Sequence, residues 1–132
     1  MTPPKTLLLC AAIAVAGCQP APFSQIGYFK DAAPNRVFIL HAETQTDIAV
    51  VQTHAAALAH TTGQFTQAFY YLAPAAVPDD AVTLAADYLS AVNRMFDGPI
   101  AAWQVRAVIA PDGTMTLTDC RHTQPDDACK PS

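Results

Sequence analysis

Arg36-Val37-Phe38-Ile39-Leu40-His41-Ala42 is the stretch on which the fold turns. Its β-branched and aromatic side chains favour an extended backbone. Val37 to Leu40 are apolar without a break, where a half-exposed strand would alternate. Such a run reads as a strand buried on both faces, in the middle of a sheet.

The segments downstream supply its neighbours. Thr44-x-x-Asp47 has the form of a capping box. Ile48, Val51, Ala55, Leu58 and Thr62 follow at helical spacing, and Gly63 suits a left-handed cap. Gln64 to Ala73 holds Phe65, Phe69, Tyr70, Tyr71 and Leu72 and reads as a second strand, ended by Pro74 and Pro78. Pro78-Asp79-Asp80 places carboxylates at the positive end of a helix dipole. Val82, Ala85, Leu89, Val92 and Phe96 form that helix's apolar stripe, and Asp97-Gly98-Pro99 ends it. Trp103, Val105, Ala107 and Ile109 alternate as a half-buried strand does. Pro111-Asp112-Gly113 turns the chain, and Met115 and Leu117 alternate on the return, which predicts a hairpin. The order β-α-β-α-β-β predicts an α/β (α+β) domain with a mixed sheet. Two right-handed crossovers would put both helices on one face, giving a two-layer sandwich.

Upstream, Met1 to Lys5 carries one positive side chain, and Thr6 to Ala16 is uncharged and apolar. Eleven residues are too few for a spanning helix, which needs about 20, but fit the core of a secretory signal. Val15-Ala16-Gly17-Cys18 follows. This resembles the lipobox of bacterial lipoproteins, with Val15 where that class more often has Leu. The resemblance implies a thioether-linked diacylglycerol on Cys18, cleavage between Gly17 and Cys18, and acylation of the new amino group. Two or more chains hold a protein stably on a bilayer. Gln19 is not Asp, which in this class favours the periplasmic leaflet of the outer membrane over the inner membrane. The expected division is a signal peptide at 1–17, a lipidated N-terminus and tether at 18–35, and one domain at 36–132. Pro20, Pro22, Gly27 and Pro34 give the tether its extended character, with Ile26, Tyr28 and Phe29 apolar enough to pack back as an edge strand.

Lys and Arg number 7 against 11 Asp and Glu, a net charge of −4, and loss of Lys5 with the leader makes the chain more negative. A mildly acidic surface without a basic patch excludes nucleic acid as a partner and leaves the lipid as the membrane contact. With Cys10 in the leader and Cys18 taken by lipid, Cys120 and Cys129 remain, an even pair in an oxidising compartment. A disulfide between them closes a ring of about ten residues, worth roughly 2.5–3 kcal/mol in the chain-entropy model. Their spacing does not match a Cys-x-x-Cys redox motif. Cys120, His122 and Cys129 offer zinc only three ligands, so no metal and no other cofactor is expected.

Catalytic signatures are sparse. Ser24, Ser90 and Ser132 sit in no nucleophile elbow, and Thr61-Thr62-Gly63 is no phosphate loop. His54 and His60 are six apart and point to different helix faces. His41 and Glu43 share a strand face at the C-terminal end of the first strand, the edge where open α/β sheets bind ligands. Tyr70 and Trp103 are candidates for an exposed aromatic surface. These readings predict a lipid-anchored periplasmic protein that works through contact with another envelope protein, at a surface including Tyr70, Trp103, His41 and Glu43. The alternatives are a small periplasmic enzyme using His41 and Glu43, or a lipid- or glycan-binding module.

Overall fold

In the computed structural model, which describes residues 22–76 and 78–121, strands β2 (Arg36–Ala42) and β3 (Thr66–Leu72) lie side by side and parallel. Arg36 stands opposite Thr66, and Ala42 opposite Leu72. Every residue of the pair except Arg36 is buried. The unbroken apolar run therefore has the double-sided cover it requires.

The remaining strands extend this pair in both directions. β1 (Ser24–Lys30) pairs antiparallel with β2, β4 (Val105–Ile109) antiparallel with β3, and β5 (Met115–Asp119) antiparallel with β4. The result is one five-stranded mixed sheet in the order β1-β2-β3-β4-β5. The class is α+β, as expected. The edge strand expected from Ile26, Tyr28 and Phe29 is present: residues 24–30 pair with β2 and set Phe29 in the core, so the domain begins at Ser24 rather than at the expected boundary of 36.

Two helices cover the sheet, from opposite sides. Helix α1 (Ile48–Ala56) sets Val51 and Ala55 against Phe38, Leu40, Tyr70 and Leu72. Helix α2 (Tyr88–Arg94) sets Ala91 and Val92 against Val37, Ile39 and Phe69, with Met95 and Trp103 beside them. The expected two-layer arrangement, both helices on one face, is thus replaced by three layers. The cause is strand direction. β4 runs antiparallel to β3, so the 73–104 connection is not a second parallel crossover. It passes over the face that α1 leaves open, where the odd-numbered apolar side chains of β2 and β3 need cover.

Both helices are shorter than their apolar spacing implies. Asp47 precedes α1 but makes no side-chain cap, and the helix stops at Ala56. Gly63, with φ of 92°, turns the chain beyond it, and its N–H donates to the Pro111 carbonyl at 2.8 Å. Ahead of α2, Asp80 caps a turn by accepting from Val82 and Thr83 N–H. Asp87 caps the helix itself, accepting from Ser90 N–H at 2.8 Å. Two aspartate caps in series split the expected helix, and Leu89 of its stripe is 63% exposed. The β4–β5 hairpin forms as expected, with Gly113 at φ 92° and its N–H donating to the Ala110 carbonyl. No helix among the described residues is long and apolar enough to cross a membrane.

Gly27 joins the β1 edge to the Asp80 turn. The β1–β2 register slips between Gln25 and Gly27. A Cβ on Gly27 would lie 2.5 Å from Asp80 Oδ1 and 3.2 Å from Ile39 Cδ1. Gly27→Ala should therefore destabilise the fold by about 1–2 kcal/mol, within the range for overpacking. Urea melts of the two proteins measure this directly, and an unchanged midpoint would show that the Asp80 turn moves aside freely.

Candidate functional site

The C-terminal ends of β2 and β3, the start of β4 and the end of β5 meet at one edge of the sheet. Loops after parallel strands diverge there and leave room for ligands. Two clefts open at this edge. One of about 260 Å³ is walled by Tyr71, Ala75, Pro78, Asp79, Pro99 and Ile100. The other, about 380 Å³, lies by the start of α1 between Gln45, Thr46, Asp47, Ile48, Asp119 and Arg121.

Arg121 holds the second cleft together. Its Nε and Nη2 donate to the two carboxylate oxygens of Asp119 at 2.9 and 2.8 Å, and Nη1 donates to the Thr46 carbonyl at 2.7 Å. This fork fastens the end of β5 to the loop before α1 and commits the guanidinium to the protein itself.

His41 and Glu43 do not combine into a reaction centre. His41 is 7% exposed, and its Nε2 meets the Ala75 carbonyl at 3.3 Å. A carbonyl only accepts, so Nε2 carries the proton and braces the loop after β3. Glu43 is exposed. Ser24, placed in the tether by sequence, stands opposite His41 across β1 and β2, but no side-chain hydrogen bond joins them. Neither His41 nor Glu43 is among the residues that wall the clefts. Among the described residues, no three His, Cys, Asp or Glu side chains gather to hold a metal ion.

The aromatic surface is also absent. Tyr70 is 0% exposed and Trp103 6%. Tyr70 lies under α1, and Trp103 packs edge-on against Phe69 and Phe96 and donates its Nε1 proton to the Met95 carbonyl at 2.7 Å. Both read as surface candidates because a one-sided helix layer would have left a bare face. With helices on both sides, their rings fill the core.

Two polar groups carry no signal in the sequence. The Tyr70 hydroxyl lies 2.8 Å from His54 Nδ1 and has no other partner among the described residues, so it donates its proton there. Phe23 packs against both rings, with centroids 4.5 Å from His54 and 5.1 Å from Tyr70. Burial lowers the His54 pKa below its ordinary value. On the other face, Arg106 Nε donates to Gln67 Oε1 at 2.9 Å, and Gln67 Nε2 donates to the Tyr88 hydroxyl at 2.8 Å. Arg106 stands among strand residues of an alternating pattern, and nothing in its spacing marks it. Only the register, which sets it opposite Phe69, brings the three together.

No protein-family model, curated protein or solved structure matches the chain.

The His54–Tyr70 pair gives a pH signature. The folded state binds the His54 proton more weakly than the unfolded chain, whose value is near 6.5. Stability from this group is full above that value and falls as pH drops through it toward the folded pKa. Urea melts at pH 7.5 and 5.5 should show a loss at the lower pH that shrinks in His54→Gln. An equal loss in both proteins would place the acid sensitivity elsewhere.

Proposed function

We propose that the protein is a lipid-anchored component of the bacterial cell envelope that acts by contact with another envelope protein. The anchor is the diacylglycerol expected on Cys18 from the lipobox resemblance of Val15-Ala16-Gly17-Cys18. The supporting observation from the fold is the position of Ser24, opposite His41 at the C-terminal edge of the parallel pair. Five residues separate Cys18 from Ser24, and such a span reaches at most about 20 Å. The anchor then holds this edge close to the bilayer. Glu43, Asp47 and Asp119 lie along it, with Arg121 paired to Asp119. Carboxylates are repelled by anionic headgroups, so the domain stands off the lipid rather than lying on it. The turns at 31–35, 61–64 and 110–114 occupy the opposite end and point into the periplasm, where a partner reaches them.

Gln19 supports the outer membrane as the site of attachment. The staple expected between Cys120 and Cys129 belongs to the same reading. Cys120 packs half-buried against the α2-side cluster, and no cysteine among the described residues is free. Cys129 lies outside those residues.

Metabolic labelling with a clickable palmitate tests the anchor. The wild-type chain should take up label and sediment with membranes, and Cys18→Ala should lose both. An unlabelled wild-type chain would overturn the proposal. Photo-crosslinkers at Asp112 and Glu43 test its polarity: Asp112, at the far end, should trap a protein partner, and Glu43 should not.

A further inference from the structure

Arg106 is a half-buried cation that no carboxylate among the described residues balances. The ion pair between Arg121 and Asp119 lies elsewhere, at the end of β5 beside the loop before α1. Arg106 bonds to Gln67 and touches two aromatic rings. Its guanidinium carbon sits 5.0 Å from the Phe96 ring centre and 5.6 Å from that of Phe69. These two rings and the Gln67 amide hold it in place. Gln67 is itself only 6% exposed.

The direction of the hydrogen bonds is dictated by the arginine. A guanidinium only donates, so the Gln67 oxygen must face Arg106 and its NH₂ must face Tyr88. The Tyr88 hydroxyl therefore accepts from Gln67 and keeps its own proton uncommitted. At the other end, both Nη groups of Arg106 have no partner among the described residues and reach the surface. The relay thus ends in donors on both sides. Among the described residues the cluster has no acceptor to spare for these donors, and the strongest acceptor for a guanidinium fork is a planar carboxylate.

We infer that Arg106 and Tyr88 bind a small carboxylic acid with an aromatic or apolar body. The carboxylate lies across the Arg106 Nη groups and accepts a hydrogen bond from the Tyr88 hydroxyl. The body of the acid is read from the walls. Phe65, 40% exposed, stacks on Tyr88 at 20° between ring planes and 6.2 Å between centres, and Phe96 flanks the guanidinium. Thr118, opposite Arg106 on β5, borders the site on the open side. Asp31 is the nearby acidic group, and its charge is felt at Tyr88. Its carboxylate is already taken by the side-chain amide of Asn35 and the N–H groups of Ala33 and Asn35, which leaves Arg106 to the ligand. The site does not depend on lipidation.

Benzoate titrated into the full ¹⁵N-labelled chain in detergent, followed by NMR, tests this, with benzamide as the uncharged control. Saturable shifts are expected at the Arg106 Nε–H and the Tyr88 amide. Benzamide should bind on the order of tenfold more weakly, as should benzoate to Arg106→Gln, matching the loss of one charge-assisted pair. Tyr88→Phe, which removes only the hydroxyl, should weaken benzoate by roughly threefold to tenfold. Shifts that never saturate, equal binding of benzamide, or an unaffected Tyr88→Phe variant would each overturn the inference. Should Arg106→Gln fail to fold, Tyr88→Phe and the benzoate–benzamide comparison still decide it.

Discussion

The parallel pairing of β2 with β3 is the constraint the rest of the molecule satisfies. Both strands are apolar at consecutive positions, so both faces of the pair must leave water. One helix can cover only one face. The chain answers with α1 on the side of Phe38, Leu40 and Tyr70, and α2 with Trp103 on the side of Val37, Ile39 and Phe69. The largest rings of the core are therefore packing elements, and little of the aromatic content is left for binding.

The long connection between β3 and β4 is held to the sheet by specific polar bonds. The Gln104 side-chain oxygen accepts from Leu72 N–H at 2.7 Å, and the Gln104 backbone N–H donates to the Tyr70 carbonyl at 2.8 Å. The Tyr71 hydroxyl donates to the Ile100 carbonyl, and Trp103 donates to the Met95 carbonyl. Each of these groups would be costly to bury unpaired. Together they fix where α2 and the short 3₁₀ segment Gly98–Ala102 lie over the sheet. The same packing sets Arg106 against Phe96 and Phe69, so a half-buried cation without a carboxylate partner among the described residues follows from how the core is closed.

Much of the fold is legible in the sequence. The strands at 36–42 and 66–72, the terminal hairpin and the mixed sheet follow from β-branched runs, alternation and the Asp112-Gly113 turn. Side-chain periodicity says which residues are apolar, but not the direction of the next strand, and strand direction decides which face α2 covers. The unbroken run Val37–Leu40 already argues for two-sided cover, against a layer of helices on one side. Helix ends are misread where two caps compete, because Asp80 and Asp87 are equivalent signals until packing selects one. His41 and Glu43 do lie at the end of β2 toward which the sequence points, but His41 spends its proton on a loop carbonyl. The Arg106–Gln67–Tyr88 relay is invisible in the sequence, since its members are 39 and 21 residues apart and meet only through strand register.

With its core closed on both sides, the domain leaves only its loops and strand ends open to contact. That conclusion rests on the three-layer arrangement, and methyl-to-ring NOEs test it most directly. Val51 and Ala55 should contact Phe38 and Tyr70, while Val92 and Met95 should contact Phe69 and Trp103, with no crossing between the two sets. Contacts from both helices to the same set of rings would contradict it.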